Sequence, residues 1–190
     1  DEVDNALNDC NTAIQLAPES ATLYASRGLM HFKQGDLQSA LTDCTHALDL
    51  DPQDATAYML RGALYHRQGK QDDAVNDYTV LLGMFPDNFA YYNNRGEAHF
   101  AAARYDQAKA DFLKAAELNP DFEHAVAGLA ITQHALGNHA EAARLWRSLM
   151  GEDKRYRDID FVEKQLGWTD TLIGQARKLI SHLSLEIAPK

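Results

Sequence analysis

Residues 24–32 read YASRGLMHF, a run whose apolar side chains recur at helical spacing but whose middle carries Arg27 and Gly28. Glycine inside a helix costs about 1 kcal/mol relative to alanine, so a buried helix that keeps one needs a compensating contact. The pair returns in YMLRGALYH, from Tyr58, and in YNNRGEAHF, from Tyr92, as Arg61-Gly62 and Arg95-Gly96, a spacing of i, i+34 and i+68. Tyr24, Tyr58 and Tyr92 share this interval, as do Ala6, Ala40, Ala74, Ala108 and Ala142. Pro18, Pro52, Pro86 and Pro120 follow it too, and only Pro189 lies outside the series. A fixed period of this length marks a repeat architecture built from one supersecondary unit.

Within each period the punctuation predicts two helices. Ser20, Asp54 and Asn88 stand two positions after a proline, where a side-chain oxygen can cap the first amides of a helix. Gly35, Gly69 and Gly137 fall where that helix must stop and reverse, because glycine accepts the left-handed backbone of such a turn. Ala103 occupies the equivalent position of the fourth repeat, so a different turn is expected there. The apolar spacing places the first helices at 21–34, 55–68, 89–102 and 123–136, and the second at 37–50, 71–84, 105–118 and 139–150. Residues 1–17 align only with the second half of a unit, VDNALNDCNTAIQLAP matching LQSALTDCTHALDLDP.

The order aromatic, glycine, alanine, apolar residue and closing proline resembles the tetratricopeptide repeat (TPR) family over residues 1 to about 150. The resemblance implies an all-α fold, a right-handed superhelix of antiparallel helix pairs. It divides the chain into the second half of a repeat at 1–19, four further repeats at 20–53, 54–87, 88–121 and 122–150, and a connector with capping helices at 151–190. It also implies a concave face, lined by the first helix of each pair, that binds a peptide or protein segment. The candidate residues are Ala25, Leu29, Phe32 and Lys33, then Met59, Ala63, His66 and Arg67, then Asn93, Asn94, Glu97 and Phe100, and finally Ile131 and His134. That face is apolar with sparse polar marks, as partner surfaces are. TPR domains that clamp the terminal carboxylate of a chaperone tail carry lysines, an arginine and asparagines at fixed positions. Here those positions hold Ala25, Leu29, Met59 and Ala63, and only Asn94 matches, so that ligand is not expected.

Asp43, Asp77 and Asp111 stand at i+16 from Arg27, Arg61 and Arg95, and in the fifth repeat Leu129 and Leu145 replace both partners together. Joint loss points to ion pairs formed within one repeat, each a structural pair, against the alternative that the arginines bind an acidic ligand. Gly28, Gly62 and Gly96 are expected opposite Ala40, Ala74 and Ala108, where two small faces let helices approach.

The remaining features mostly exclude. With a formal net charge of −10, the chain repels phosphate backbones, so no nucleic-acid partner is expected. There is no apolar run long enough to span a membrane and no secretory start, and a cytoplasmic setting is favoured. Cys10 and Cys44 are separated by the repeat period and read as equivalent small core residues. No HExxH, CxxC or GxSxG motif occurs, and His66 and His134 lie two repeats apart, so no catalysis, cofactor or metal is expected. After Met150 the period ends: GEDKRYRDID reads as a connector, FVEKQLG as a short helix closed by Gly167, and a last helix capped by Thr169 or Asp170 carries Leu172, Ile173, Ala176, Leu179, Ile180, Leu183 and Ile187. That helix is expected to cover the exposed end of the fifth repeat, the other reading being that it docks into the groove or onto another chain. The predicted function is a non-catalytic protein-binding module. Its alternative is a scaffold, or a homodimer, that associates through the truncated N-terminal end, Val3, Ala6, Leu7, Cys10, Ala13 and Ile14, or through the last helix.

Overall fold

In the computed structural model, which describes the backbone of residues 2–187 and the side chains of residues 2–183, the period resolves into helices. They are α1 (Glu2–Leu16), α2 (Ala21–Gln34), α3 (Leu37–Leu50), α4 (Ala55–Arg67), α5 (Gln71–Met84), α6 (Phe89–Ala101), α7 (Tyr105–Leu118), α8 (Glu123–Ala135) and α9 (His139–Glu152). A 3-10 turn at Lys154–Arg157 follows, then α10 (Ile159–Leu166) and α11 (Asp170–Ile187). No helix among the described residues is long and apolar enough to cross a membrane.

Contacts divide the chain into two units, residues 1–84 and 85–190. In the first, α2 pairs with α3 and α4 with α5, α1 rests on α2, and α2 touches α4. Its core is built from Ala25, Ala40, Cys44, Ala47, Leu60 and Leu64. In the second, α6 pairs with α7 and α8 with α9, and α6 touches α8. That core runs on from Phe100, Phe112, Ile131 and Trp146 into Leu172, Ala176 and Leu179 of the last helix.

The caps follow the sequence pattern in part. Asp54 accepts from the amide of Ala57 at 2.9 Å and Asn88 from that of Ala90 at 3.0 Å. Ser20 occupies the same position without a side-chain cap bond. Thr169 immediately precedes α11, yet its buried hydroxyl has no hydrogen-bond partner among the described residues. At the helix reversals Gly35, Gly69 and Gly137 have φ of 83°, 75° and 82°, and Ala103 joins them at 57°. The same closing bond recurs at all four turns: Asp36 to His31 at 3.0 Å, and Lys70 to Tyr65, Arg104 to His99 and Asn138 to Gln133, each at 2.9 Å. The fourth turn therefore has the geometry of the other three, and Ala103 bears the strain.

Of the helix glycines, Gly28 meets the expected alanine, whereas Gly62 and Gly96 meet other partners. A Cβ at Gly28 would lie 3.3 Å from the Ala40 carbonyl oxygen and 3.2 Å from Cys44 Sγ, but at Gly62 and Gly96 it would meet the rings of Tyr78 and Phe112 at 3.0 Å. Cys44, Tyr78 and Phe112 each stand at i+16 from their glycine, so at Gly62 and Gly96 the ring takes the space expected of the alanine, while Gly28 is shared between Cys44 and the Ala40 backbone. Phe112 also presses on Gly128, where an added Cβ would stand 2.5 Å from the ring. One aromatic ring thus fills two glycine clefts.

The segment read as a connector is structured. Gly151 and Glu152 still belong to α9, and Asp153 caps the 3-10 turn by accepting from the Arg155 amide at 2.9 Å. Tyr156 inside it is fully buried: Trp146 Nε1 donates to its carbonyl at 3.1 Å, and its hydroxyl donates to Glu123 Oε2 at 2.5 Å.

Candidate functional site

Each arginine of the repeated pair lies against the aspartate of its own repeat. Arg27 Nε and Nη2 donate to Asp43 at 2.8 and 2.7 Å, and Arg61 with Asp77 and Arg95 with Asp111 repeat both distances. The aspartates are buried and the arginines about one-fifth exposed. Hydrogen bonding to the carboxylate, opposed by burial, raises each guanidinium further above its ordinary range. The repeated tyrosines now have a role: Tyr24, Tyr58 and Tyr92 lie under the Arg27, Arg61 and Arg95 guanidinium groups at 5.4, 5.5 and 5.7 Å from ring centroid to Cζ. Leu129 and Leu145 of the fifth repeat are both buried in the apolar core of the second unit. These groups are occupied by one another, although Arg27 Nη1 also reaches Asn11 Oδ1 at 2.8 Å.

The candidate surface of the first unit is the face of α2 and α4. Ala25 is buried, Leu29, Phe32, Met59 and Ala63 are half-buried, and Lys33 and Arg67 are exposed. The Arg67 guanidinium lies 4.8 Å above the Phe32 ring. His66, expected at the surface, turns inward: Nδ1 is 2.7 Å from Gln71 Oε1, and burial, more than this bond, sets its pKa, which is lowered.

The second unit differs. Asn93, Phe100 and Ile131 are buried, Asn94, Glu97 and His134 half-buried. What buries them is the chain itself: α11 lies against α8, α6 and α9, inserting Leu172, Ile173, Ala176, Leu179 and Leu183 into the core that holds Phe100 and Ile131. Just before α11, Trp168 is buried and its Nε1 donates to Glu97 Oε1 at 3.0 Å, the same oxygen that accepts from Asn93 Nδ2 at 2.8 Å. Burial pushes the Glu97 carboxyl up to about 7, against the two hydrogen bonds that favour its charge. The last helix therefore lies along the first-helix face of the pairs as well as against α9, and the open surface expected at Asn93, Glu97, Phe100 and Ile131 is closed. An apolar helix stripe and an apolar face in the same unit bury each other. Ile187 belongs to the expected stripe but lies outside the described side chains.

At one end of this contact, His134 meets His139 and His182, with Gln175 Nε2 at 2.8 Å from His134 Nδ1. Burial, then the two neighbouring histidines and Lys178, lower the His134 pKa. Neither Trp168 nor this histidine group was legible in the period, since Trp168 and His182 lie beyond the repeats and His139 stands where the other repeats have Leu37, Gln71 and Tyr105. Cys44 is buried against Gly28, and its thiol is pushed up to about 12 by burial, which leaves it unreactive.

Three family models described as tetratricopeptide repeat match residues 1–64, 45–89 and 89–122. No curated protein sequence matches. Among solved structures, a tetratricopeptide repeat protein from Parabacteroides merdae is 28% identical with a TM-score of 0.75, covering 99% of this chain and 75% of its own. The first TPR of Spaghetti (RPAP3), bound to the HSP90 peptide SRMEEVD, is 28% identical with a TM-score of 0.60 over 62% of this chain and 94% of its own. YrrB, described as a TPR protein with an unusual peptide-binding site, shares the fold at 20% identity and a TM-score of 0.71, over 93% of this chain and 96% of its own. With the sequence period, the helix pairs and the family models in agreement, the chain belongs to the tetratricopeptide repeat family.

Proposed function

We infer that the chain is a non-catalytic protein-binding module whose docking surface is the α2–α4 face of the first unit. The observation that carries this is a contrast between two equivalent faces: Leu29, Phe32, Met59 and Ala63 remain partly open to solvent, whereas Phe100 and Ile131 of the second unit are sealed under α11. Exposed Lys33 and Arg67 at the margin favour a segment that combines apolar anchors with an acidic group. Peptide binding by YrrB and by the RPAP3 domain supports the general class. The chaperone-tail mode does not carry over, because Ala25, Leu29, Met59 and Ala63 stand where that mode uses polar and charged groups.

An array of acidic–apolar peptides, followed by fluorescence anisotropy on the tightest binder, tests the reading. Met59→Asp should weaken that binder about tenfold or more, the loss expected of an interface anchor, and Lys33→Glu with Arg67→Glu should weaken acidic peptides selectively. Unchanged affinity in folded variants refutes the surface. A second reading, self-association through α1, rests on the fact that none of its residues is fully buried.

A further inference from the structure

The histidine group at the end of the α8–α11 contact has a geometry that packing does not require. His134 is in the last turn of α8, His139 opens α9 and His182 lies on α11. Their ring centroids form a triangle of 4.8, 5.2 and 5.7 Å, and each ring offers one nitrogen within 4.8 Å of the other two. His182 Nδ1 and His134 Nε2 already stand 3.5 Å apart. His139 and His182 are exposed, so these rings are not core filling, and Arg177 and Lys178 line the same surface hollow. Three imidazoles gathered beside two cations, with no carboxylate among the described residues lining that hollow, gain little as neutral rings and repel one another when protonated. A metal ion that accepts three lone pairs removes that conflict.

The distances suit an ion of the zinc class. Tetrahedral zinc binds imidazole nitrogen at about 2.0–2.1 Å, which separates adjacent ligand atoms by about 3.4 Å. One pair is there already, and the exposed His139 and His182 rings can close the rest by side-chain rotation. A supporting contact is also present: the Gln175 amide lies 2.8 Å from His134 Nδ1. With that amide turned so that Oε1 accepts the Nδ1 proton, Nε2 presents its lone pair toward the other rings. An all-nitrogen donor set disfavours magnesium and calcium, which take oxygen ligands.

We propose that His134, His139 and His182 bind a divalent transition-metal ion of the zinc class through three imidazoles, with water in the fourth position. Because His182 is on α11 and the other two belong to the α8–α9 turn, the ion cross-links the last helix to the repeats and sets how firmly α11 covers α6 and α8. The site is independent of the docking surface inferred for the first unit.

The test uses the full chain without an affinity tag and freed of metal. Calorimetric titration with Zn2+ should show one equivalent bound, Mg2+ none, and Co2+ should give the visible absorption of a tetrahedral ion. His139→Ala and His182→Ala, both at exposed positions, should each weaken Zn2+ binding about tenfold or more. Hydrogen exchange in α11 should slow on adding Zn2+ to the wild type and not to His182→Ala. No zinc uptake by the wild type, or equal uptake by both folded variants, overturns the site. Zinc uptake that leaves α11 exchange unchanged overturns the cross-link.

Discussion

An arginine beside a glycine inside a helix is tolerable here because each finds a complementary surface in the same repeat: a carboxylate and a tyrosine face for the arginine, and the side chain at i+16 for the glycine. Asp77→Ala leaves the Arg61 guanidinium largely buried without its carboxylate and should destabilise by about 1–3 kcal/mol. Replacing both Arg61 and Asp77 by leucine, the arrangement that Leu129 and Leu145 already adopt in the core, should cost less than the sum of the two single changes. Denaturant melts of the double-mutant cycle measure this, and simple additivity would dismiss the pairing as an energetic unit. Glu97 is held instead by two neutral donors, Asn93 and Trp168. Its pKa is raised to about 7 from 4.5, so the folded state binds more protons between those values, and its contribution to stability is full below about 4.5 and lost as pH rises to about 7. Relative to Glu97→Gln, the wild type should therefore lose up to roughly 2–3 kcal/mol between pH 4.5 and pH 8. Thermal melts of both proteins at those pH values check it, and a constant difference would show that Glu97 does not titrate in this range.

At the scale of the element, repetition made the fold legible. The proline, glycine and alanine series placed α2 and α3 at their observed ends and the remaining pairs within one or two positions, because every feature was stated several times over. What was stated once was lost, the buried Tyr156 inside a charged segment and Trp168 between two helices, while for α11 two readings stayed open, the end of the fifth repeat and the groove. A helix stripe shows that a surface must be covered, but not which one, and only the competition between the open end of the fifth repeat and the α6–α8 face decides it. Ala103 is an exception in the sequence and not in the geometry, since its turn matches those closed by glycine. The closing bond from Arg104 to His99 holds it at φ 57°, a region that costs a residue with a Cβ roughly 1–2 kcal/mol. Ala103→Gly relieves that strain but enlarges the entropy of the unfolded chain, so the net expectation is a stabilisation of about 0.5–1 kcal/mol. A thermal melt that moves downward would show that the turn is not strained.

For the molecule as a whole, α1 is the element whose apolar residues are least satisfied. Val3, Ala6, Leu7, Cys10, Ala13 and Ile14 are all half-buried by their contact with the rest of the first unit, Leu16 is 83% exposed, and no residue of the helix reaches full burial. A second copy laid against this side would remove the remainder from water, each side chain contributing less than the roughly 1.5–3 kcal/mol of complete burial because part is already covered. Against it stand the entropy of association and the repulsion between two chains of net charge −10. The apolar gain does not depend on screening, whereas the repulsion falls as salt shortens the Debye length from about 10 Å at 0.1 M to about 3 Å at 1 M. Self-association through α1 should therefore strengthen with added salt, which distinguishes it from pairing driven by opposite charges. Sedimentation of the wild type at micromolar concentration, in low and high salt, should show a dimer fraction that rises with salt and disappears in Leu7→Glu. A wild type that stays monomeric and indistinguishable from the variant in both conditions would eliminate the end-to-end dimer.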